Sequence, residues 1–520
     1  MVLSRRRFLA LSAAAAIVPA LPDCARAEAG TAVNLVPHEP SGAPNYWCTW
    51  ALQNYMYGQN LESLDPVRLE GDAGAELART AMTEENLLSE QGWANSFYPR
   101  VRRDLYLLLD DGWEKGGTAT FELDTGKFSS FDGDPSARLT KLSNTIQNCG
   151  WRGVALWCRN TPQRDGIDRL EAMCDQAGVR YWKIDIGDPE FGLVRVRNDR
   201  HIPLTLEHVH GEVPVNGDWR KDGRFGAQPW DSRRMIILRN TDVYRTYDVT
   251  SILSLPTTLD RLASMLEGAQ GHPEIKGLLN VEDEAYVAAV MGCTMGIMRH
   301  PLHGKRPGPD ADLFFNGPRQ TKRRIDEIVR AIRWQRIAPP FSPGEGTVSI
   351  DQEILTDTWN FARTQTWQTD LLGGTVHQGA PARIARNLIL PEVSAKEEKP
   401  FVFATRFPNG AVAIGAQERT HVGKAWYLPA CDLTLSVSDA PGPFGIFGSP
   451  RSVTLVFDRP ISGKRIMAQD LAGDTAVDIT RSVRLRGKTL YVPGEVIRTE
   501  GLRHAMPGDL SAPGLVIALV

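Results

Sequence analysis

The chain has 520 residues, a formal net charge of −3, 42% hydrophobic and 23% charged residues. That composition buries a large core, and the length suits two or three domains or one barrel with an accessory domain. A slightly acidic balance supplies no basic field for nucleic acid, and no apolar run is long enough to cross a bilayer.

The N-terminus reads "SRRRFLALSAAAAIVPALPDCARA". An arginine pair precedes Phe-Leu, a short apolar run follows, and Ala25-Arg26-Ala27 forms a small-residue cleavage pattern. Residues 1–27 are therefore expected to be a twin-arginine-type signal peptide, with a periplasmic or secreted mature protein. Of the seven cysteines, Cys24 would be lost with it. The other six show no disulfide framework and no C-x-x-C pattern, so buried free thiols are expected.

From about 40 to 345, short apolar strands alternate with amphipathic helices. In chain order the strands are "NYWCTWALQ" (45–53), "RDLYLLLDDGW" (103–113), "RGVALWCR" (152–159), "VRYWKIDIG" (179–187), "IPLTLEHVH" (202–210), "VYRTYDV" (243–249) and "KGLLNVEDE" (276–284). Between them fall helical stretches such as "SARLTKLSNTIQNC" and "GIDRLEAMCDQAG", the second closed by Gly178. Farther on come "LDRLASMLEG" and "TKRRIDEIVRAIRWQRI", where Ile325, Ile328, Val329 and Ile332 recur at helical spacing. Alternation of this kind means a parallel sheet, and the number of repeats favours a (β/α)8 TIM barrel. No glycine-rich dinucleotide fingerprint follows the first strand.

The rhythm breaks at "IAPPFSPGEG". Residues 346–397 read as a connecting segment. From 398 to 520 short alternating strands such as "KPFVFATRFPNGAVAIGAQ", "SVTLVFDRP" and "RLRGKTLYVPGEV", separated by turn residues, read as a C-terminal antiparallel β-sandwich.

Barrel enzymes carry their chemistry at the C-terminal ends of strands, and there the charged residues of this chain collect. In "YWKIDIG" alternation puts Lys183 and Asp185 on one face with Tyr181 behind them, and Gly187 ends the strand. A lysine beside an aspartate keeps the carboxylate ionised. Such a carboxylate in a sugar pocket attacks an anomeric carbon; the alternative is a structural ion pair. The second strand ends in Asp110-Asp111-Gly112-Trp113, two acids able to bind sugar hydroxyls and a ring able to cover a pyranose, although D-D-G also makes turns. Retaining hydrolysis needs a second carboxyl group. Asp248 stands at the end of the sixth strand with Arg245 nearby. Asp310, Asp312 and the run Glu282, Asp283, Glu284 are its rivals, and spacing does not choose among them. Glu207, His208 and His210 offer an alternative metal site that lacks a further ligand at suitable spacing. His300 and His303 suit loops or a substrate shell.

Together these segments resemble the α-galactosidase clan of retaining glycoside hydrolases, the families usually numbered 27 and 36. "LLLDDGW" looks like the clan's second-strand signature, "ALWCR" its third strand, "YWKIDIG" its K-x-D nucleophile strand and "RTYDVTSILSLPTTLDR" the later strand that supplies the acid/base. The resemblance covers roughly residues 45–315, and the domain order agrees. It implies that Asp185 is the nucleophile, Asp248 the acid/base and Lys183 a ligand of sugar hydroxyls. Asp110 and Asp111 would bind the hydroxyls that mark a galactose-type sugar, with Trp50, Trp113 and Trp157 as pocket walls. Arg245 and Glu207 are further substrate-binding candidates. The implied protein is an exo-glycosidase for terminal α-galactoside-like sugars, acting on an oligosaccharide or glycoside without cofactor or metal. The alternatives are a glycosidase or transglycosylase for a related sugar (N-acetylgalactosaminide, arabinopyranoside) and a non-catalytic carbohydrate-binding protein.

Overall fold

The computed structural model describes residues 33–53, 73–116, 122–159, 164–185, 204–209, 226–246, 255–301, 324–360, 375–422, 424–438, 442–461 and 463–520. The expected export signal, Gly187, His210, Asp248, His303, Asp310 and Asp312 lie outside them.

Eight parallel strands form the first sheet: β1 (Asn45–Cys48), β2 (Leu105–Leu109), β3 (Gly153–Arg159), β4 (Tyr181–Asp185), β5 (Thr205–Val209), β6 (Val243–Arg245), β7 (Leu278–Asn280) and β8 (Gly296–Ile297). Each pairs with its sequence neighbour, β1 pairs with β8, and a parallel bridge from Asn280 to Thr294 closes the ring. This is the expected TIM-like barrel. The first strand is shorter than "NYWCTWALQ" suggests. It ends at Cys48, and Trp50–Gln53 is a helical turn tied back by Gln53 N–H on the Thr49 carbonyl at 2.9 Å.

The helices between strands carry their own boundary signals. Asp134 caps Pro135–Asn148 by accepting from the Ala137 N–H at 2.8 Å, with Pro135 in the first turn. Arg164–Ala177 ends at Gly178, whose φ of +70° is the left-handed conformation that glycine adopts without strain. The outward faces of the strands pack on these helices. Trp182 of β4, for example, lies 3.2 Å from Cys174 through its indole N–H.

After the helix Ile325–Ile337 the chain forms two further sheets of eight and five strands. Alternation in Phe401–Arg406 assigns the faces of the larger one. Val402 and Ala404 join a core with Leu433, Leu435, Val453 and Leu455 of the smaller sheet, whereas Phe401 and Phe403 join the barrel core. The larger sheet is thus the middle layer of three, between the smaller sheet and the barrel helices Ala285–Met291 and Ile325–Ile337. Trp334 packs edge-on against Phe407 and Phe447, and Arg330 bonds Asp470 across the same boundary at 2.9 Å. Most pairings are antiparallel; Arg383–Arg386 with Phe401–Arg406, Val412–Gln417 with Phe444–Phe447, and Cys431–Val437 with Ser452–Phe457 are parallel. The segment read as a connection supplies Val348–Ile350 and Arg383–Arg386 to the larger sheet and Glu392–Ala395 to the smaller. It also forms the hairpin Ile354–Asn360/Thr375–Pro381, which packs on the helix Leu255–Ala269.

Cys48, Cys149, Cys158, Cys174, Cys293 and Cys431 are free thiols. Among the described residues no helix is long and apolar enough to cross a membrane.

Candidate active site

The inner face of β4 orders the site by depth. Tyr181 and Lys183 are buried and Asp185 is half-buried at the C-terminal end of the strand.

At the deepest level Glu207 of β5, fully buried, accepts hydrogen bonds from the Tyr181 hydroxyl at 2.8 Å, the Tyr46 hydroxyl at 3.1 Å and the Asn280 amide at 2.9 Å. Burial pushes its carboxyl above the ordinary range, against the pull of Arg245, Tyr181, Lys183 and Tyr46. Gly296 of β8 makes room for this cluster, since a Cβ there would lie 2.3 Å from the Tyr46 hydroxyl oxygen. Glu207 therefore ties four strands together below the mouth of the barrel.

One level up, Lys183 donates to Asp110 at 2.7 Å, both only 2% exposed. Cys48 donates to the same carboxylate oxygen at 3.0 Å. Burial and the Asp110 charge push the Cys48 thiol up, so it remains protonated and able to donate. For Lys183, burial and the nearby Arg245 disfavour the ammonium. Asp110, Cys48 and Asp185 outweigh them, and its pKa stands above the ordinary value. The lysine thus donates across the barrel to Asp110, 73 positions away in sequence. Arg245 of β6 is fully buried, its Nε 2.6 Å from a carboxylate oxygen of Glu282. Glu282 follows β7 with a φ of +54°, and its N–H is held by the Asn280 side chain at 2.8 Å. Asp283 accepts from the backbone N–H groups of Met298 and Arg299 beyond β8, at 2.8 and 3.1 Å. Burial raises its pKa to about 6 against the opposing Arg299 charge.

At the mouth, the Trp157 indole N–H donates to Asp185 at 3.2 Å. In register Trp157 stands beside Lys183, one diagonal step from Asp185 on the same face. Trp113 is fully buried, its indole N–H on the Trp157 carbonyl at 2.9 Å. Asp111 is paired with Arg79 at 2.8 Å. Burial raises its pKa, Arg79 lowers it, and Asp110 and Asp185 raise it further, so the three carboxylates share one field. The turn depends on Gly112, whose φ is +109° and whose Cβ position lies 2.9 Å from the Arg79 backbone. Thr49 receives the Asp110 N–H at 3.0 Å, and Gln53 donates to the Asp111 carbonyl at 2.8 Å, which docks the turn on the helical turn bearing the nearly buried Trp50.

The structure thus gathers Asp110, Asp111, Trp113, Trp157, Lys183 and Asp185 at one end of the barrel, with Glu207 and Arg245 beneath. Glu207 and His208 are consecutive strand residues and face opposite sides, so they do not share an ion. No His, Cys, Asp and Glu cluster suited to a metal occurs among the described residues. Sequence reading missed Arg79, Cys48, Tyr46 and Asn280. Alternation in "NYWC" would have put Tyr46 and Cys48 on one face; nothing in the sequence marks Arg79 as the partner of Asp111.

No protein-family model and no curated protein matches the chain. Solved structures similar to it include a candidate α-N-acetylgalactosaminidase from Bacillus halodurans C-125, with 11% identity, a TM-score of 0.36, and 92% of this chain and 96% of that one covered. Another is a noncanonic maltogenic α-amylase from Thermotoga neapolitana, with 9% identity, a TM-score of 0.32, and 92% and 99% covered. At those scores neither bears on activity, and the fold assignment rests on the strand pairing itself.

Proposed function

We propose that this protein is a retaining exo-glycosidase for terminal α-galactoside-like sugars. The observation that carries the reading is Asp185: a half-buried carboxylate at the C-terminal end of a barrel strand, beside Asp110 and Asp111 and held by an indole N–H. In the first step an Asp185 oxygen bonds to the anomeric carbon while the bond to the leaving group breaks, and the leaving oxygen takes a proton from Asp248. In the second, water deprotonated by Asp248 displaces the aspartyl ester and restores both carboxyl groups. Asp110, Lys183 and Asp111 form the charged floor that meets the sugar hydroxyls, with Trp50 and Trp157 beside them. Their mutual pairing preorganises this floor before sugar arrives.

Asp185→Asn is expected to lower turnover of an aryl α-galactoside at least about 10⁴-fold without moving the thermal transition, and a 2-fluoro galactoside is expected to label Asp185 covalently. Substantial turnover by Asp185→Asn would sink the mechanism. A panel including the N-acetylgalactosaminide and arabinopyranoside decides the sugar, and binding without turnover across that panel would mean a carbohydrate-binding protein instead.

A further inference from the structure

We propose that Trp157 is a positioning residue for the Asp185 carboxylate and that Trp113 in turn fixes Trp157. The inference rests on the glycosidase reading for its purpose, and on geometry alone for its existence. The indole Nε1 is a donor without acceptor capacity, and it reaches one carboxylate oxygen of Asp185, Oδ2, at 3.2 Å. Trp157 is 2% exposed, so the ring has little freedom to leave that contact. Its strand is anchored from behind by the Trp113 indole N–H on its own carbonyl at 2.9 Å. Trp113 sits on a stiff turn, its carbonyl receiving the Asp124 N–H at 3.0 Å and the adjacent Gly112 carbonyl receiving Lys127 at 2.8 Å.

Two indoles in series therefore run from the second-strand turn to the carboxylate. Holding Oδ2 restricts rotation of the carboxyl group about its bond to Cβ, which sets the orientation from which the carboxylate attacks. As the bond from an Asp185 oxygen to the anomeric carbon forms, the carbon–leaving-group bond breaks and its electron pair goes to the leaving oxygen, which the acid protonates. The indole proton stays on nitrogen throughout. This donor acts on orientation rather than on sugar affinity, so its loss belongs in kcat rather than KM.

Trp157→Phe keeps a flat ring and removes the N–H. It is expected to lower both kcat and the rate of Asp185 labelling by the 2-fluoro galactoside about tenfold to hundredfold, with KM within about threefold of the wild type. Trp113→Phe is expected to give a smaller loss of the same kind. In an indole N–H correlation spectrum of the nitrogen-labelled protein, the resonance missing from Trp157→Phe is expected to shift in Asp185→Asn. Absence of that shift, or an unchanged labelling rate in Trp157→Phe with only KM raised, overturns the inference. A wild type that shows the coupled resonance but is not labelled and turns over no glycoside overturns the glycosidase reading, and the catalytic purpose of the pair with it. Should Trp157→Phe fail to fold, the Trp113→Phe kinetics decide the matter: an unchanged labelling rate with only KM raised overturns the inference.

Discussion

The barrel and the sandwich both bury their inward side chains, and those side chains are of opposite chemistry. Between the two C-terminal sheets lie Val402, Ile414, Leu433, Leu435, Val453, Leu455 and Ile517, a purely apolar layer. Inside the barrel the inward positions hold Tyr46, Cys48, Asp110, Tyr181, Lys183, Glu207, Arg245 and Asn280. Burying charge is costly even when it is paired, so the inner face of the barrel is not where the fold draws its stability. Apolar burial on the outer faces of the strands, against the helices, offsets that cost, as where Trp182 meets Cys174. That arrangement leaves the inner face available for a preorganised polar floor, and it makes the two interiors fail in different ways.

The sharpest way to break the contrast is Lys183→Met, which keeps the stem and removes the charge. Asp110 is then a buried carboxylate without its cation, and the expected loss is about 3–5 kcal/mol in denaturant unfolding. The double variant Lys183→Met/Asp110→Asn is expected to regain a large part of it. A single variant as stable as the wild type would show that the pair carries no buried charge. In the sandwich, Leu455→Ala removes apolar volume instead. It is expected to cost about 3 kcal/mol through the cavity left behind, while kcat of the proposed glycosidase per folded molecule stays unchanged; a matching loss of kcat would mean that the sandwich shapes the candidate site.

The smallest effect concerns Asp283. Its carboxyl is raised to about 6 in the folded state by burial. A carboxyl raised on folding stabilises the protein when protonated, so that contribution is complete below the unfolded pKa and disappears as pH rises through about 6. Relative to Asp283→Asn, which still accepts the Met298 and Arg299 N–H bonds, the wild type is expected to lose about 2 kcal/mol between pH 4 and pH 7. Thermal unfolding of both proteins at the two ends of that range checks the sign. Parallel profiles would mean that Asp283 titrates as an ordinary carboxylate.

Much of the architecture was legible because it follows from local periodicity. Apolar runs at strand length, helices of 3.6-residue period between them and a glycine after Ala177 identify the repeating unit. The change to two-residue alternation late in the chain identifies the sandwich. The eighth strand was not legible, because Gly296–Ile297 is two residues long and is held by the Thr294–Asn280 closure and the room that Gly296 leaves for Tyr46. The three parallel pairings in the sandwich were hidden for a related reason: alternation reports which face a residue takes and carries no information on the direction of the neighbouring strand.

By itself, then, the sequence determined that Lys183 and Asp185 share a face at a strand end and that Asp110 and Asp111 end another strand. It did so because side-chain direction in a strand alternates with period two. Only the tertiary structure decided who meets whom: Lys183 with Asp110, Trp157 with Asp185, Arg79 with Asp111, Arg245 with Glu282 and Glu207 with Tyr46. Those pairings depend on the register and closure of eight strands brought together from distant parts of the chain, and a local pattern of residues does not encode the stagger between them.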